Sequence, residues 1–271
     1  SFWGRAGYPS FKRSGRLWNY DLNYEEPSPT FRADNGFVTQ SDNRRMAFGT
    51  GLSLRTDTRW FDGFWPYVNM ARVWNFSGAR KDEWLRPEIT VQFKGQTEVW
   101  LSHLWSEERF KETDLYGIRR WEAGLDTKFT EMVQGGTNVV WGKMVARGIN
   151  PPVLGDGVNV ELWGTLRPLT RLVIEPTYNF ATLDHPDGSN LFEGYILRVR
   201  NNFQFTRELF LRLVVQYDDF DRAWSIEPLF TYRINPFSLF FVGSTHAVAE
   251  IGDTDGPAFT QTERQLFLKF Q

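Results

Sequence analysis

Acid–base and metal chemistry in this chain must come from 33 carboxylates and three histidines, because it has no cysteine. Disulfides, thiolate metal sites and cysteine nucleophiles are therefore excluded. His103, His185 and His246 are too scattered to suggest a zinc site. Two acidic stretches, Asp184-His185-Pro186-Asp187-Gly188 and Asp253-Thr254-Asp255-Gly256, have spacing that could hold Ca²⁺, but neither offers the full ligand set and ordinary turn chemistry explains both. Carboxylate pairs for glycoside hydrolysis exist in number, yet none stands out by sequence, and no Ser, His and Asp order supports acyl transfer. The sequence assigns no catalytic residue, no metal ligand and no cofactor.

What does carry a signal is the placement of charge at alternate positions. In Glu208 to Ile234, Leu209, Leu211, Leu213, Val215 and Tyr217 fall on one side of an extended strand, and Phe210, Arg212, Val214, Gln216 and Asp218 on the other. After a break at Asp219 to Arg222, Trp224, Ile226, Pro228, Phe230, Tyr232 and Ile234 alternate with Ser225, Glu227, Leu229, Thr231 and Arg233. Each strand runs to about ten residues, the length a tilted membrane-crossing strand needs and longer than the usual ~5 to 6. Tyr217, Trp224 and Tyr232 sit towards strand ends, where a membrane interface favours rings with a polar handle. The polar face then lines a lumen, and its charge candidates are Glu175, Arg198, Arg200, Arg212, Glu227 and Arg233. Such a mixture of signs either lines a water-filled pore or cross-links a filled interior.

Composition fits this reading. Net charge is −2, against a general nucleic-acid surface. Aromatics make up 17% while mean hydropathy is −0.44, as expected when alternation hides an apolar half from any average. No run approaches the ~20 apolar residues of a membrane helix. The chain opens at Ser1 without an initiator methionine, and is expected to be a processed or truncated piece whose export signal lies upstream.

Residues 1–15 read as an aperiodic lead-in, and Arg16 to Glu25 and Met46 to Leu54 as strands. Further strands are expected at Trp65 to Phe76, Trp84 to Phe93, Thr97 to Glu108, Arg120 to Thr130, Thr137 to Arg147, Val158 to Pro168, Arg171 to Leu183 and Leu191 to Phe205. With the hairpin, Ser238 to Ala249 and Thr262 to Gln271, they make one single-domain, all-β, transmembrane antiparallel up-and-down β-barrel of about 14 strands. Tight turns at Lys94 to Gln96, Leu169-Thr170, Thr206-Arg207 and Asn235 to Phe237 are expected to alternate with long external loops at Lys111 to Arg119, Gly148 to Gly157, Asp184 to Asn190 and Glu250 to Gln261. Trp60, Trp65 and Tyr116 are read as loop aromatics, able to stack on sugars or to anchor at the interface.

The connection after the first strand, residues 26–45, is the strongest functional candidate. At roughly 18 residues it is long for a plain loop. Phe31, Arg32, Asp34, Phe37, Asp42, Arg44 and Arg45 would suit a constriction or plug folded inward against the small face Ala47, Gly49, Gly51 and Ser53; an ordinary ordered external loop is the alternative.

Two stretches resemble a known family. PTFRADNGFVTQSDNRRM, Pro29 to Met46, is similar to a Phe-x-x-Asp-x-Gly-Phe-Val core leading to an Asp and Arg cluster, matched here by Phe31, Asp34, Gly36, Phe37, Val38, Asp42, Arg44 and Arg45. RELFLRLVVQYDDFDRAWSIEPLFTYRINPFSLFFV and the closing RQLFLKFQ are similar to that family's final hairpins. The family consists of bacterial outer-membrane proteins of unassigned function that join an N-terminal carbohydrate-binding-like domain to a C-terminal β-barrel, and only the barrel part is represented here. Thr39-Gln40 departs from the pattern, where a Pro-Arg pair is expected. The resemblance implies the bacterial outer membrane, and brings no catalytic residue with it.

The expected function is a passive pore, or the membrane anchor of a carbohydrate-handling protein. Its partners would be membrane lipid, small polar solutes or glycans, and a protein partner where it serves as anchor. Two readings from other classes stay open: a non-enzymatic β-rich subunit docking its apolar face on protein, and an outer-membrane glycoside hydrolase.

Overall fold

A computed structural model describes residues 3–32, 41–56, 58–253 and 256–271. Every regular element among them is a β-strand, and the strands form one antiparallel sheet. The chain resolves into two compact units. One comprises Ser1–Gly124, Val140–Gly157 and Leu183–Ser189, the other Leu125–Val139, Val158–Thr182 and Asn190–Gln271.

The strands of the first unit are β1 (Ala6–Gly7), β2 (Ser10–Ser14), β3 (Trp18–Pro27), β4 (Arg44–Leu52), β5 (Leu54–Arg55), β6 (Phe61–Trp74), β7 (Arg80–Phe93) and β8 (Thr97–Phe110). Four strands have residues in both units: β9 (Thr113–Lys128), β10 (Val133–Ala146), β11 (Val153–Leu169) and β12 (Leu172–Asp184). The second unit continues with β13 (Asn190–Gln204), β14 (Leu209–Asp218), β15 (Ala223–Asn235), β16 (Ser238–Asp253) and β17 (Gly256–Phe270).

The count is therefore 17, not 14. The excess is the three short strands β1, β2 and β5. β1 and β2 arise inside the stretch expected to be an aperiodic lead-in, because β2 pairs Ser10 to Ser14 with Asn23 to Asn19, and Ala6 pairs with Pro27. A backbone ladder needs only donors and acceptors, so a strand can form where side chains show no period.

The same principle corrects the loops. Lys111 to Arg119 is no loop: β8 turns through Lys111 and Glu112 alone, both at positive φ (47° and 63°), as a two-residue hairpin of the type-I′ kind requires. In β9 the buried Leu115 and Ile118 stand three residues apart around Gly117, whose φ is +80°. That irregularity shifts the alternation by one residue and hides the strand from a period-2 search. β11 likewise begins at Val153, inside the stretch expected to be the loop Gly148 to Gly157, and β16 and β17 run into the one expected at Glu250 to Gln261. Of the loop aromatics, Trp65 and Tyr116 lie in β6 and β9, and only Trp60 lies in a connection.

The hairpin of β14 and β15 has the expected faces, and its register aligns them. Tyr217 faces Trp224, Leu213 faces Pro228 and Leu209 faces Tyr232. Residues opposite one another share a face, so Trp224, Ile226, Phe230 and Tyr232 align with the apolar side of β14, and they are 39–48% exposed. Val214, on the charged side, is only 4% exposed. No large side chain among the described residues is fully buried. The apolar face thus meets the surroundings rather than packing as a core, opposite to a soluble sandwich.

The aromatics on this face form rows. In the second unit Tyr178, Tyr195, Tyr217 and Trp224 lie ring to ring across β12 to β15, with centroids 5.5, 5.7 and 4.9 Å apart. In the first unit Trp18 and Tyr20 (4.8 Å) lie near one strand end, and Tyr24 and Trp74 (6.4 Å) near the other. His103, in phase with Leu101 and Trp105, is held between Trp105 and Trp121 at 4.3 and 4.2 Å.

Candidate functional site: the polar face of the sheet

In the first unit the register carries Asp21, Asn23 and Glu25 of β3 onto the same face as Arg45, Ala47, Gly49 and Gly51 of β4, Tyr67 and Asn69 of β6, and Trp84, Arg86 and Glu88 of β7. These side chains form a hydrogen-bonded layer. The Tyr67 hydroxyl donates to Asp21 Oδ1 at 3.2 Å, Asn23 Nδ2 donates to Asp21 Oδ2 at 2.8 Å, and Trp84 Nε1 donates to Asn69 Oδ1 at 2.8 Å. Arg86 stands 3.7 Å from Glu88 and 3.9 Å from Glu122, and Arg45 pairs with Glu25 at 3.0 Å.

The glycines on this face are occupied positions. A Cβ at Gly49 would overlap the Tyr67 hydroxyl, and one at Gly51 would lie 2.7 Å from the Tyr67 ring. The room beside the small face of β4 is thus taken by Tyr67 from β6. The device recurs: the Trp100 ring covers Gly124 in the first unit, and in the second Trp163 covers Gly136 and Phe267 covers Gly243. Each pairs a bulky ring with a residue that has no side chain, which lets rings lie flat on the sheet. These inward aromatics escaped the sequence reading, although Trp84 alternates in phase with Arg86 and Glu88, and Trp100 with Glu98 and Ser102.

The described part of the constriction candidate is tied to strand ends. Phe31 closes a turn by donating its amide to the Ser28 carbonyl at 3.0 Å, and Arg32 follows it. Asp42, at φ +54°, accepts the Phe76 amide at 3.0 Å, and its carbonyl accepts Lys81 Nζ at 2.7 Å. Arg44 belongs to β4, pairs with Glu26 at 3.2 Å and lies 4.1 Å over the Phe76 ring. Arg45 is also in β4, its guanidinium 5.6 Å from the Trp84 ring. Asp34 and Phe37 lie outside the described residues.

In the second unit the polar face of β13 to β15 gathers five of the six lumen candidates, and Glu175 of β12 joins them through its contacts. Arg200 grips Glu175 with two hydrogen bonds, 2.7 and 2.8 Å, and Asn202 donates to the same carboxylate at 2.9 Å. Arg198 faces Gln216, and Arg212 lies between Asn202 and Leu229. Glu227 faces Val214, and Arg233 sits 5.4 Å over the Phe210 ring. Glu175 therefore neutralises Arg200, while Arg198, Arg212 and Arg233 have no carboxylate partner among the described residues.

The charged side chains here are wet: Arg200 is 47% and Glu175 27% exposed, and Arg86 45% and Glu122 32%. Ion pairs this accessible contribute about 0–1 kcal/mol each, too little to be the glue of a filled interior.

In the turn between β12 and β13, one of the acidic sequences is engaged as turn chemistry. Asp187 Oδ1 accepts the Ser189 hydroxyl at 2.7 Å and the Ser189 amide at 2.9 Å, with His185 Nδ1 also at 2.9 Å. These donors, Ser189 foremost, lower the Asp187 carboxyl to about 2.

No family model and no curated protein matches the chain. Among solved structures it is similar to the siderophore receptor PirA from Acinetobacter baumannii, with a TM-score of 0.52 and 9% identity over 93% of this chain and 52% of the receptor. It is also similar to an anion-selective porin from Comamonas acidovorans, with a TM-score of 0.42 and 6% identity over 97% of each chain. A Pseudomonas aeruginosa FadL homologue gives a TM-score of 0.29 and 10% identity, over 98% of this chain and 75% of that one. The first likeness shows the fold, an all-β antiparallel up-and-down sheet, and the chain spans about half the length of that receptor.

Proposed function

We propose that this chain is a transmembrane β-barrel of a bacterial outer membrane and acts as a passive pore for small polar solutes. The observation that carries the reading is the inversion of its two faces: exposed Trp, Ile, Phe and Tyr on one side of β15, and on the opposite face of the sheet water-accessible charges, with Arg200 of β13 paired to Glu175 of β12. Lipid is the solvent that suits the first face, and strands bonded to one another along their lengths leave few backbone groups unsatisfied within it. Aromatic rows at strand ends support the same placement. Solutes pass along the polar face, where Arg86 and Arg200 are held by carboxylates and Arg198, Arg212 and Arg233 remain open to anions. The constriction at the mouth is assigned to the segment from Phe31 to Arg45, of which the described Asp42 and Arg44 are held by Phe76, Lys81 and Glu26. The link to carbohydrate handling rests on the resemblance of Pro29 to Met46 and of the closing hairpins alone.

The test is electrophoresis of detergent-extracted protein in SDS with and without boiling, followed by conductance in planar bilayers. A heat-dependent mobility shift with stepwise ohmic currents is expected. Protein that stays soluble without detergent and shows no shift would overturn the reading.

A further inference from the structure

A groove of about 730 Å³ lies on the apolar face of the first unit, across β4, β6, β7, β8 and β9. Its floor is Met46, Phe48, Met70, Leu85 and Trp105. Cross-strand register places Phe48 opposite Met70, Met70 opposite Leu85, and Leu85 opposite Trp105, so the floor is one continuous band. Gly117, at the irregularity in β9, has no side chain to fill the groove. The rim towards the β6–β7 turn is charged. Arg80 meets Glu107 at 2.5 Å and Glu83 at 3.7 Å, and Arg72 meets Glu83 at 3.6 Å. Arg119 of β9 also lines the groove, with no carboxylate partner among the described residues.

Resting on the membrane reading above, we propose that this groove is a binding site for a membrane lipid with an anionic phosphate headgroup. The acyl chain lies along Met46, Met70 and Leu85, and the phosphate takes Arg119 and Arg72. Among the residues lining the groove, three guanidiniums against two carboxylates leave one positive charge in excess. At a membrane surface an uncompensated guanidinium is best met by a phosphate, which it can bind through two parallel hydrogen bonds. The volume falls in the range of small-ligand sites, about 300–1,000 Å³, and the apolar floor with few polar groups at one end matches an amphiphile.

The experiment is native mass spectrometry of detergent-solubilised protein titrated with phosphatidylglycerol or, separately, phosphatidylcholine. Wild-type protein is expected to retain phosphatidylglycerol at least fivefold better than phosphatidylcholine. Arg72→Gln/Arg119→Gln is expected to abolish that preference, and Arg72→Lys/Arg119→Lys to keep most of it. Equal retention of the two lipids, or a preference unchanged by the Gln pair, overturns the site; displacement of both lipids by a co-purifying protein makes the groove a protein interface and overturns it too. The SDS mobility shift is read on the same samples, so a heat-modifiable barrel without lipid preference rejects this site alone, whereas loss of the shift in wild type rejects the membrane reading beneath it.

Discussion

Leu213→Arg puts a charge midway on the apolar face between Tyr217 and Trp224 towards one strand end and Tyr232 towards the other. Leu213 faces Pro228, four residues from the Tyr217–Trp224 pair on one side and four from the Leu209–Tyr232 pair on the other. Four residues span ~13 Å along a strand. With a tilt of about 40° this becomes ~10 Å of height, so Leu213 sits near the middle of an apolar band ~25 Å tall. Arginine there is expected to destabilise the folded barrel by about 2–4 kcal/mol, against about 0–1 kcal/mol for Leu209→Arg at the level of Tyr232. Ser225→Arg, on the polar face, should cost within ~0.5 kcal/mol. Equilibrium unfolding by guanidinium from phospholipid vesicles gives the three values. A cost for Leu213→Arg no larger than for Leu209→Arg would refute the depth argument, and with it the assignment of the apolar face to lipid.

Three other expectations concern the polar face and one turn. Gly124→Ala drives a methyl into the Trp100 ring, and should destabilise by about 1–3 kcal/mol, with Trp100→Leu relieving most of the loss in the double variant; simple additivity would contradict the ring-on-glycine packing. Glu175→Gln releases Arg200 from its bidentate partner, so reversal potentials across a salt gradient should move towards anion preference, and an unchanged or cation-shifted value would remove Glu175 from the conducting path. The Asp187 carboxyl, lowered to about 2 chiefly by Ser189, gives the turn a contribution fully present above its unfolded value of ~3.9 and lost as pH falls through about 2. Side-chain carbonyl NMR should show that midpoint, and Ser189→Ala should raise it; no change in the variant would reject the hydrogen bonds.

Much of the fold was legible in the hairpin from Glu208 to Ile234. Its period of two, its break at Asp219 to Arg222 and its aromatic ends mark both strands and the face each residue takes; which residues stand opposite one another is set by the ladder. The same reading faltered at Thr113 to Arg120, where Gly117 puts Leu115 and Ile118 out of phase, and at Ser10 to Ser14, where the ladder holds polar residues with no period to detect. The lumen candidates illustrate the difference in kind. That Glu175 and Arg200 share a face was written in the alternation; that they meet in a bidentate pair while Arg198 and Arg212 find no carboxylate was not.

The sequence by itself determined which residues belong to which face, because successive side chains of a strand point to opposite sides whatever the strand pairs with. Only the tertiary structure decided what fills each face. Gly49 reads as empty space until the register of β4 against β6 lays Tyr67 over it. Met46, Leu85, Arg72 and Arg119 are ordinary alternating residues until ladders across five strands assemble them into one groove. Such neighbours are set by hydrogen-bond register between segments far apart in the chain, and no local period encodes it.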